Sequence, residues 1–225
     1  MTQPCAITQN PICRQQAGIV YLVDDDSSLL RALCRLLQAA GYRVETFASA
    51  QQFLECHRPD AASCAVLDLW MPGLGGLELQ KSIAETEEPM PVIFLTGRGD
   101  IVSSVCAMKG GALDFLTKPV RGDQLLDAVR GALARDTAAR KARRLKRDWS
   151  TRFECLSLRE REVFSLVVRG LPNKQIADVM AISERTVKAH RAQVMHKMGV
   201  RSPAELGRAV EWLSEFPEAL AIAGL

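Results

Sequence analysis

Five residues spread over the first half of the chain are of types that can share one reaction: Asp24, Asp25, Asp68, Thr96 and Lys118, the last followed by Pro119. Three carboxylates held close together repel one another unless a cation neutralises them. A hard divalent ion such as Mg2+ accepts a few carboxylate oxygens, keeps several waters and can bridge to phosphate. A carboxylate can also attack phosphorus and become an aspartyl-phosphate. A Thr hydroxyl and a Lys ammonium are then suited to donate to the phosphoryl oxygens, the Lys as a point charge. The set supplies one carboxylate nucleophile, two metal-holding carboxylates and two phosphoryl-oxygen donors.

Such chemistry needs a scaffold that delivers all five groups to one place. Residues 18–23 form a short apolar run that stops at Asp24-Asp25-Asp26, and Leu29, Leu30, Leu33, Leu36 and Leu37 then recur on one helical face up to Gly41. Strands are expected at 43–47, 65–69, 92–96 and 113–117. Helices are expected after Ser49, over 76–85 and 100–109, and from Asp123 onward, where Leu125, Leu126, Val129 and Leu133 repeat. Five strands alternating with five helices predict an α/β layer structure with a parallel sheet. In that architecture functional groups collect at the carboxyl ends of strands. Asp24 and Asp25 end the first strand, Asp68 the third, Thr96 the fourth and Lys118 the fifth. Asp26 reads as the cap of the following helix.

The stretches V-D-D-D at 23–26, D-L-W-M-P-G at 68–73, T-G at 96–97 and D-F-L-T-K-P at 114–119 resemble the receiver domain of two-component response regulators. The resemblance covers residues 17–133 and implies a flavodoxin-like, five-stranded parallel sheet. It implies Asp68 as phosphoacceptor, Asp24 and Asp25 (with Asp68) as Mg2+ ligands, and Thr96 and Lys118 as sensors of the phosphoryl group. Phe115 takes the place of a switch aromatic, and the Lys118–Pro119 bond is implied to be cis. Two positions depart from the common pattern. Trp70 is bulky for a site two residues after the acceptor, and Gly110-Gly111 replaces Ala-Gly, which is expected to loosen the end of the fourth helix.

The remainder of the chain is helical by its punctuation. Residues 134–153 lack Gly and Pro and predict a basic helical linker. Ser157-x-x-Glu160 is a capping box for a helix ending at Gly170. A short helix over 173–180 is expected to turn Ile176, Ala177 and Val179 inward, and a tight turn leads to a helix over 184–198, ended by Gly199. Ser202-Pro203-x-Glu205 opens a last helix over 204–216, expected to supply a second dimer contact. Two helices joined by a short turn match a helix-turn-helix. The stretches L-S-L-R-E-R-E-V at 156–163, G-L-P-N-K-Q-I-A at 170–177 and S-E-R-T-V-K-A-H-R at 183–191 resemble the LuxR-type helix-turn-helix domain, here 154–225 and four helices. Together with the receiver, the chain is similar to the NarL/FixJ family. Val187, Val194 and Met198 should pack inward. The resemblance assigns Lys188, Ala189 and Ala192, with Thr186 nearby, to base edges, and Lys174, Arg185, His190 and Lys197 to phosphates.

Charge follows the same division. Residues 17–133 hold 10 Lys and Arg against 15 Asp and Glu, 134–153 hold 8 against 2, and 154–225 hold 10 against 9. The apolar runs are too short to span a bilayer, and residues 1–16 show no export signal and read as a disordered arm. Seven scattered cysteines without a C-x-x-C pair are expected to be buried in a reducing cytoplasm. The expected partners are a histidine kinase, double-stranded DNA, a second copy on phosphorylation and RNA polymerase, with no membrane. No enzyme activity is expected beyond the receiver's own phosphorylation and dephosphorylation. The rivals are an aspartate-nucleophile phosphatase, which would need a substrate pocket or cap, and a constitutive DNA-binding protein.

Overall fold

The first strand is apolar at every position, which suits a strand covered on both faces. In the computed structural model, which describes residues 18–97 and 101–207, β1 (Ile19–Val23) and β3 (Ser63–Asp68) are buried along their whole length. With β2 (Arg43–Phe47), β4 (Val92–Thr96) and β5 (Asp114–Thr117) they form one parallel sheet in the order β2-β1-β3-β4-β5. The parallel pairing is continuous, with Val23 opposite both Phe47 and Leu67. Strand alternation divides the core in two. Tyr21, Leu67 and Phe94 pack with α2 (Ala50–Glu55) and α3 (Gly76–Ala84), whereas Leu22, Val66 and Ile93 pack with α1 (Ser27–Ala39) and the start of α5 (Gly122–Glu154). α4 (Ile101–Lys109) completes the five helices.

Capping residues set several boundaries. Asp26 accepts from the backbone N–H groups of Ser28 and Leu29 and starts α1. Ser49 does the same for α2 through Gln52. Gly76 is required by close approach: a methyl group there would stand 2.2 Å from the Asp68 carbonyl oxygen. α3 therefore starts directly against the end of β3.

The chain divides into two compact units between Arg140 and Lys141. Polar contacts of the first unit run past 133, where the receiver is expected to end. Asp136 is buried and accepts from Ser63 N at 2.8 Å and from Arg140 Nε at 2.7 Å. Arg140 also reaches Asp60 and Glu88. The expected linker 134–153 is shortened from its other end as well, because Trp149 and Phe153 belong to the core of the second unit.

That second core is built by Phe153, α6 (Leu158–Val168), α7 (Asn173–Met180) and α8 (Glu184–Met198). Ser157 and Glu160 form the expected capping box. Ala181, in the left-handed region at φ 52°, and Ser183, which accepts from Thr186 N, make the turn between α7 and α8. Gly199 ends α8 with φ 67°. Val179 is 64% exposed, contrary to expectation. The inward arc of α7 runs through Ile176, Ala177 and Met180, and Val179 falls beside it. Residues 203–207 are helical, whereas the rest of the expected last helix and the arm 1–16 lie outside the described residues. Of the cysteines, Cys64 is buried, Cys34 and Cys56 are half-buried, and Cys106 and Cys155 are exposed, so the expectation of uniform burial is corrected. No described helix is long and apolar enough to cross a membrane.

Candidate phosphorylation site and nucleic-acid interface

Parallel strands end on the same edge, and the sheet brings the five residues singled out by their chemistry to that edge. Asp24, Asp25 and Asp68 each offer a carboxylate oxygen, all within 4.8 Å of one another. Asp24 is buried and Asp25 exposed, so the cluster opens to solvent on one side. Asp24 Oδ1 accepts from Asp26 N at 2.8 Å, a bond that fixes the carboxylate. Lys118 Nζ lies 2.7 Å from Asp24 Oδ2 and 3.1 Å from Asp68 Oδ1. One ammonium thus spans the acids of β1 and β3. The Lys118–Pro119 bond is cis, as the resemblance implies.

The electrostatics follow from burial and from these pairs. Burial pushes the Asp68 carboxyl above the ordinary Asp value, against the pull of Lys118 and with the Asp24 charge adding to the rise. Burial alone would lower Lys118, but Asp24 and Asp68 together outweigh it and raise the ammonium's pKa. Asp26, by contrast, is held low first by the N–H of Leu29 and then by that of Ser28, as befits a helix cap.

Thr96 is buried at the end of β4, and its hydroxyl donates to the Gly97 carbonyl at 3.0 Å. Phe115 is half-buried on β5, its ring centroid 6.4 Å from that of Phe94. Trp70 is 67% exposed. It leaves the core and stands in solvent two residues after Asp68.

Three oxygens of three acids suit a hard, oxygen-preferring divalent ion, and an exposed member leaves room for water ligands. The donor set contains no sulfur or imidazole and so fits Mg2+ better than a softer metal.

In the second unit, α8 buries Val187, Val194 and Met198, as expected. Arg185, Thr186, Lys188, Ala189 and Ala192 are exposed, as is Lys174 on α7, while His190 is half-buried. The Thr186 hydroxyl lies 2.8 Å from Ser183 Oγ and is engaged in the helix cap. Lys197 does not join the exposed cations. Its ammonium lies 2.7 Å from Glu160 Oε2 and donates to the Cys155 carbonyl at 3.2 Å. Burial opposes the charge on Glu160, but Lys197 and the Ser157 contacts hold its carboxyl below the usual Glu range. The expectation that Lys197 binds phosphate is therefore not carried forward.

Two further polar groups are hardly visible in the sequence. Asp136 lies 73 positions from its partner Ser63, too far for any local pattern to show. Gln80 is buried on α3 and donates to the Ala107 carbonyl of α4; its only trace was an amide on a face otherwise formed by Leu79 and Ile83.

Comparison with known proteins agrees with this geometry. The family model described as "Response regulator receiver domain" matches residues 20–130, and that of "Bacterial regulatory proteins, luxR family" matches 154–210. Nodulation protein W of Bradyrhizobium diazoefficiens is 47% identical over 196 residues, covering 87% of this chain and 86% of that protein. Response regulator protein TodT of Pseudomonas putida is 42% identical over 200 residues, covering 89% and 88%. The solved structure of response regulator StyR superposes with a TM-score of 0.78 at 45% identity, covering 87% of this chain and 99% of that one. Full-length FixJ from B. japonicum gives 0.53 at 37%, covering 88% and 98%. With receiver and LuxR-type modules both matched in order along most of its length, this chain belongs to the NarL/FixJ family of response regulators.

Proposed function

We propose that Asp68 is the phosphoacceptor and that its phosphorylation by a histidine kinase controls the DNA binding of the second unit. The observation that carries this reading is the trio of carboxylates within 4.8 Å, bridged by Lys118 at the carboxyl edge of the sheet. An Asp68 carboxylate oxygen attacks the phosphorus of the kinase phosphohistidine, the P–N bond breaks, and the imidazole leaves with its electron pair and takes up a proton. Asp24, Asp25 and Asp68 would hold Mg2+, which supplies charge neutralisation for the transferring group. Lys118 is already at the acceptor and donates to a phosphoryl oxygen. The Thr96 hydroxyl must leave the Gly97 carbonyl to do the same, and Phe115, half-buried in this structure, turns inward as Thr96 shifts.

The readout is a change on the face of α4 and β5, where Val105 and Met108 are exposed, followed by pairing with a second copy. Two tethered second units then bind two half-sites with added avidity. In each, Arg185, Lys174 and His190 hold phosphates, and Lys188, Ala189 and Ala192, with Thr186 nearby, face the bases. RNA polymerase is the partner through which bound regulator acts on transcription.

The test is binding to genomic DNA fragments with and without a small phosphodonor, for the native chain and for Asp68→Ala. The donor should strengthen binding by the native chain alone. Equal binding by both, whatever the donor, would make this a constitutive DNA-binding protein.

A further inference from the structure

Gly110 removes a side chain from the C-terminal end of α4, yet the space beside it is filled. A methyl group at 110 would stand 2.8 Å from Gln80 Oε1 and 3.2 Å from Gln80 Nε2. Gln80 is buried, and its Nε2 donates to the Ala107 carbonyl at 3.1 Å. The same carbonyl accepts from Ala112 N at 3.0 Å, while Gly111, at φ 87°, donates to Met108 O. This is a Schellman ending, with both lone pairs of Ala107 O in use. The glycine expected to loosen α4 instead admits the side chain that fastens it.

The fastening leads back to the acceptor. Gly76, the first residue of α3, donates to Leu69 O and lies against the Asp68 carbonyl. Gln80 stands one turn further along the same helix. At the opposite end of α4, Thr96 closes the strand that leads into it, and its hydroxyl is bonded to the chain's own Gly97 carbonyl. In this arrangement the proton of the Thr96 hydroxyl is engaged by its own chain, and α4 is held by α3.

We propose that Gln80 is a positioning residue that latches α4 in this arrangement, and that Gly110 is what allows the latch. The proposal rests on the reading of Asp68 as phosphoacceptor. A shift of α4 by an ångström lengthens the 3.1 Å bond beyond hydrogen-bonding range. The bond is then made in one arrangement and lost in the other, so it biases the equilibrium between them. Losing a buried neutral hydrogen bond changes such a balance by roughly two- to tenfold.

The test uses the full chain, Mg2+ and beryllium fluoride, a phosphoryl mimic that adds to a carboxylate, with binding read from tryptophan fluorescence and α4 exposure from amide exchange. Gln80→Met keeps length and volume and removes the donor. It should speed exchange at 105–112 and lower the beryllium fluoride concentration for half-saturation by roughly two- to tenfold. Gly110→Ala should do the same from the other side, by pushing the amide away. The double variant Gln80→Ala/Gly110→Ala relieves the crowding, so its melting temperature should return toward native while its half-saturation stays low. Unchanged half-saturation in Gln80→Met would overturn the latch and leave Gln80 a packed polar residue. If the native chain itself shows no saturable binding, the phosphoacceptor reading falls. Faster exchange in Gln80→Met would then still uphold the link between α3 and α4, and unchanged exchange would sink that too.

Discussion

Replacing Asp136 by Ala tests where the first unit ends. Its carboxylate is buried, accepts from Ser63 N at 2.8 Å and pairs with Arg140 Nε at 2.7 Å. A hydrogen bond to a charged group contributes about 1.5–3 kcal/mol, and a buried N–H left without a partner costs about 1–3 kcal/mol. Arg140 keeps Asp60 and Glu88, which limits its share of the loss. The net expectation is about 3 kcal/mol, or roughly 12 °C in melting temperature at about 4 °C per kcal/mol for a unit of this size. Calorimetry of the full chain should show this loss in the transition that carries the sheet, with amide exchange at β3 identifying which transition that is. Lys141→Ala, one residue past the division and exposed, should change stability by no more than about 0.5 kcal/mol. A shift below about 2 °C for Asp136→Ala would refute the reasoning and return the boundary to the neighbourhood of Leu133.

Asp68→Asn should stabilise the fold. Its folded pKa is raised, so the stability that its carboxyl contributes is full below the unfolded value of 3.8 and is lost as pH rises through the folded value. The variant should therefore gain about 0.5–2 kcal/mol at neutral pH, with the gap closing in acid, as read by urea melts across pH; no gain at pH 7 would contradict the site's electrostatics. Lys197→Ala should destabilise the second unit and leave the salt dependence of DNA binding unchanged, because its ammonium is engaged by Glu160. Arg185→Ala should leave the melt alone and reduce the salt slope by about 0.9 per bound copy; the reverse pattern would exchange their roles. Burial, with a smaller push from Asp136, raises the Cys64 thiol to about 12. A thiol reagent at pH 8 should therefore label Cys106 and Cys155 in the folded chain and reach Cys64 only on unfolding, as a peptide map would show.

Local signals were legible where a cap or a strand end carried them. The bounds of α7 and α8 follow from Ser183, Gly199 and the turn between them, because backbone groups at helix ends must be satisfied by nearby residues. The acidic edge was legible because parallel strands place their carboxyl ends together whatever the loops do. Long-range polar pairing left no such trace. Asp136 and Ser63, Glu160 and Lys197, and Gln80 and Ala107 meet only after folding, and no local pattern points from one member of a pair to the other. Val179 was misplaced for a related reason: an eight-residue helix offers too few apolar positions to fix the phase of its buried arc.

The two ends of the sheet carry charge clusters with the same inventory, and counting charges does not tell them apart. At the carboxyl edge Asp24, Asp25 and Asp68 cluster together, and Lys118 pairs with Asp24 and Asp68. At the amino edge Asp136, Asp60 and Glu88 meet Arg140. The difference is geometric. Arg140 offers a rigid fork, with Nε directed at Asp136 and Nη1 at Asp60 and Glu88, and so draws three separate segments of chain together. Lys118 offers a point charge, and its acids face one another closely enough to share a cation, as no other trio does among the described residues. Crowded like charge costs stability wherever it occurs, so a fold keeps it only where another group is to be bound. Substitution should therefore have opposite signs at the two edges: neutralising Asp68, the proposed acceptor, should stabilise the chain and abolish its response to a phosphodonor, whereas removing Asp136 should destabilise it and leave that response in place.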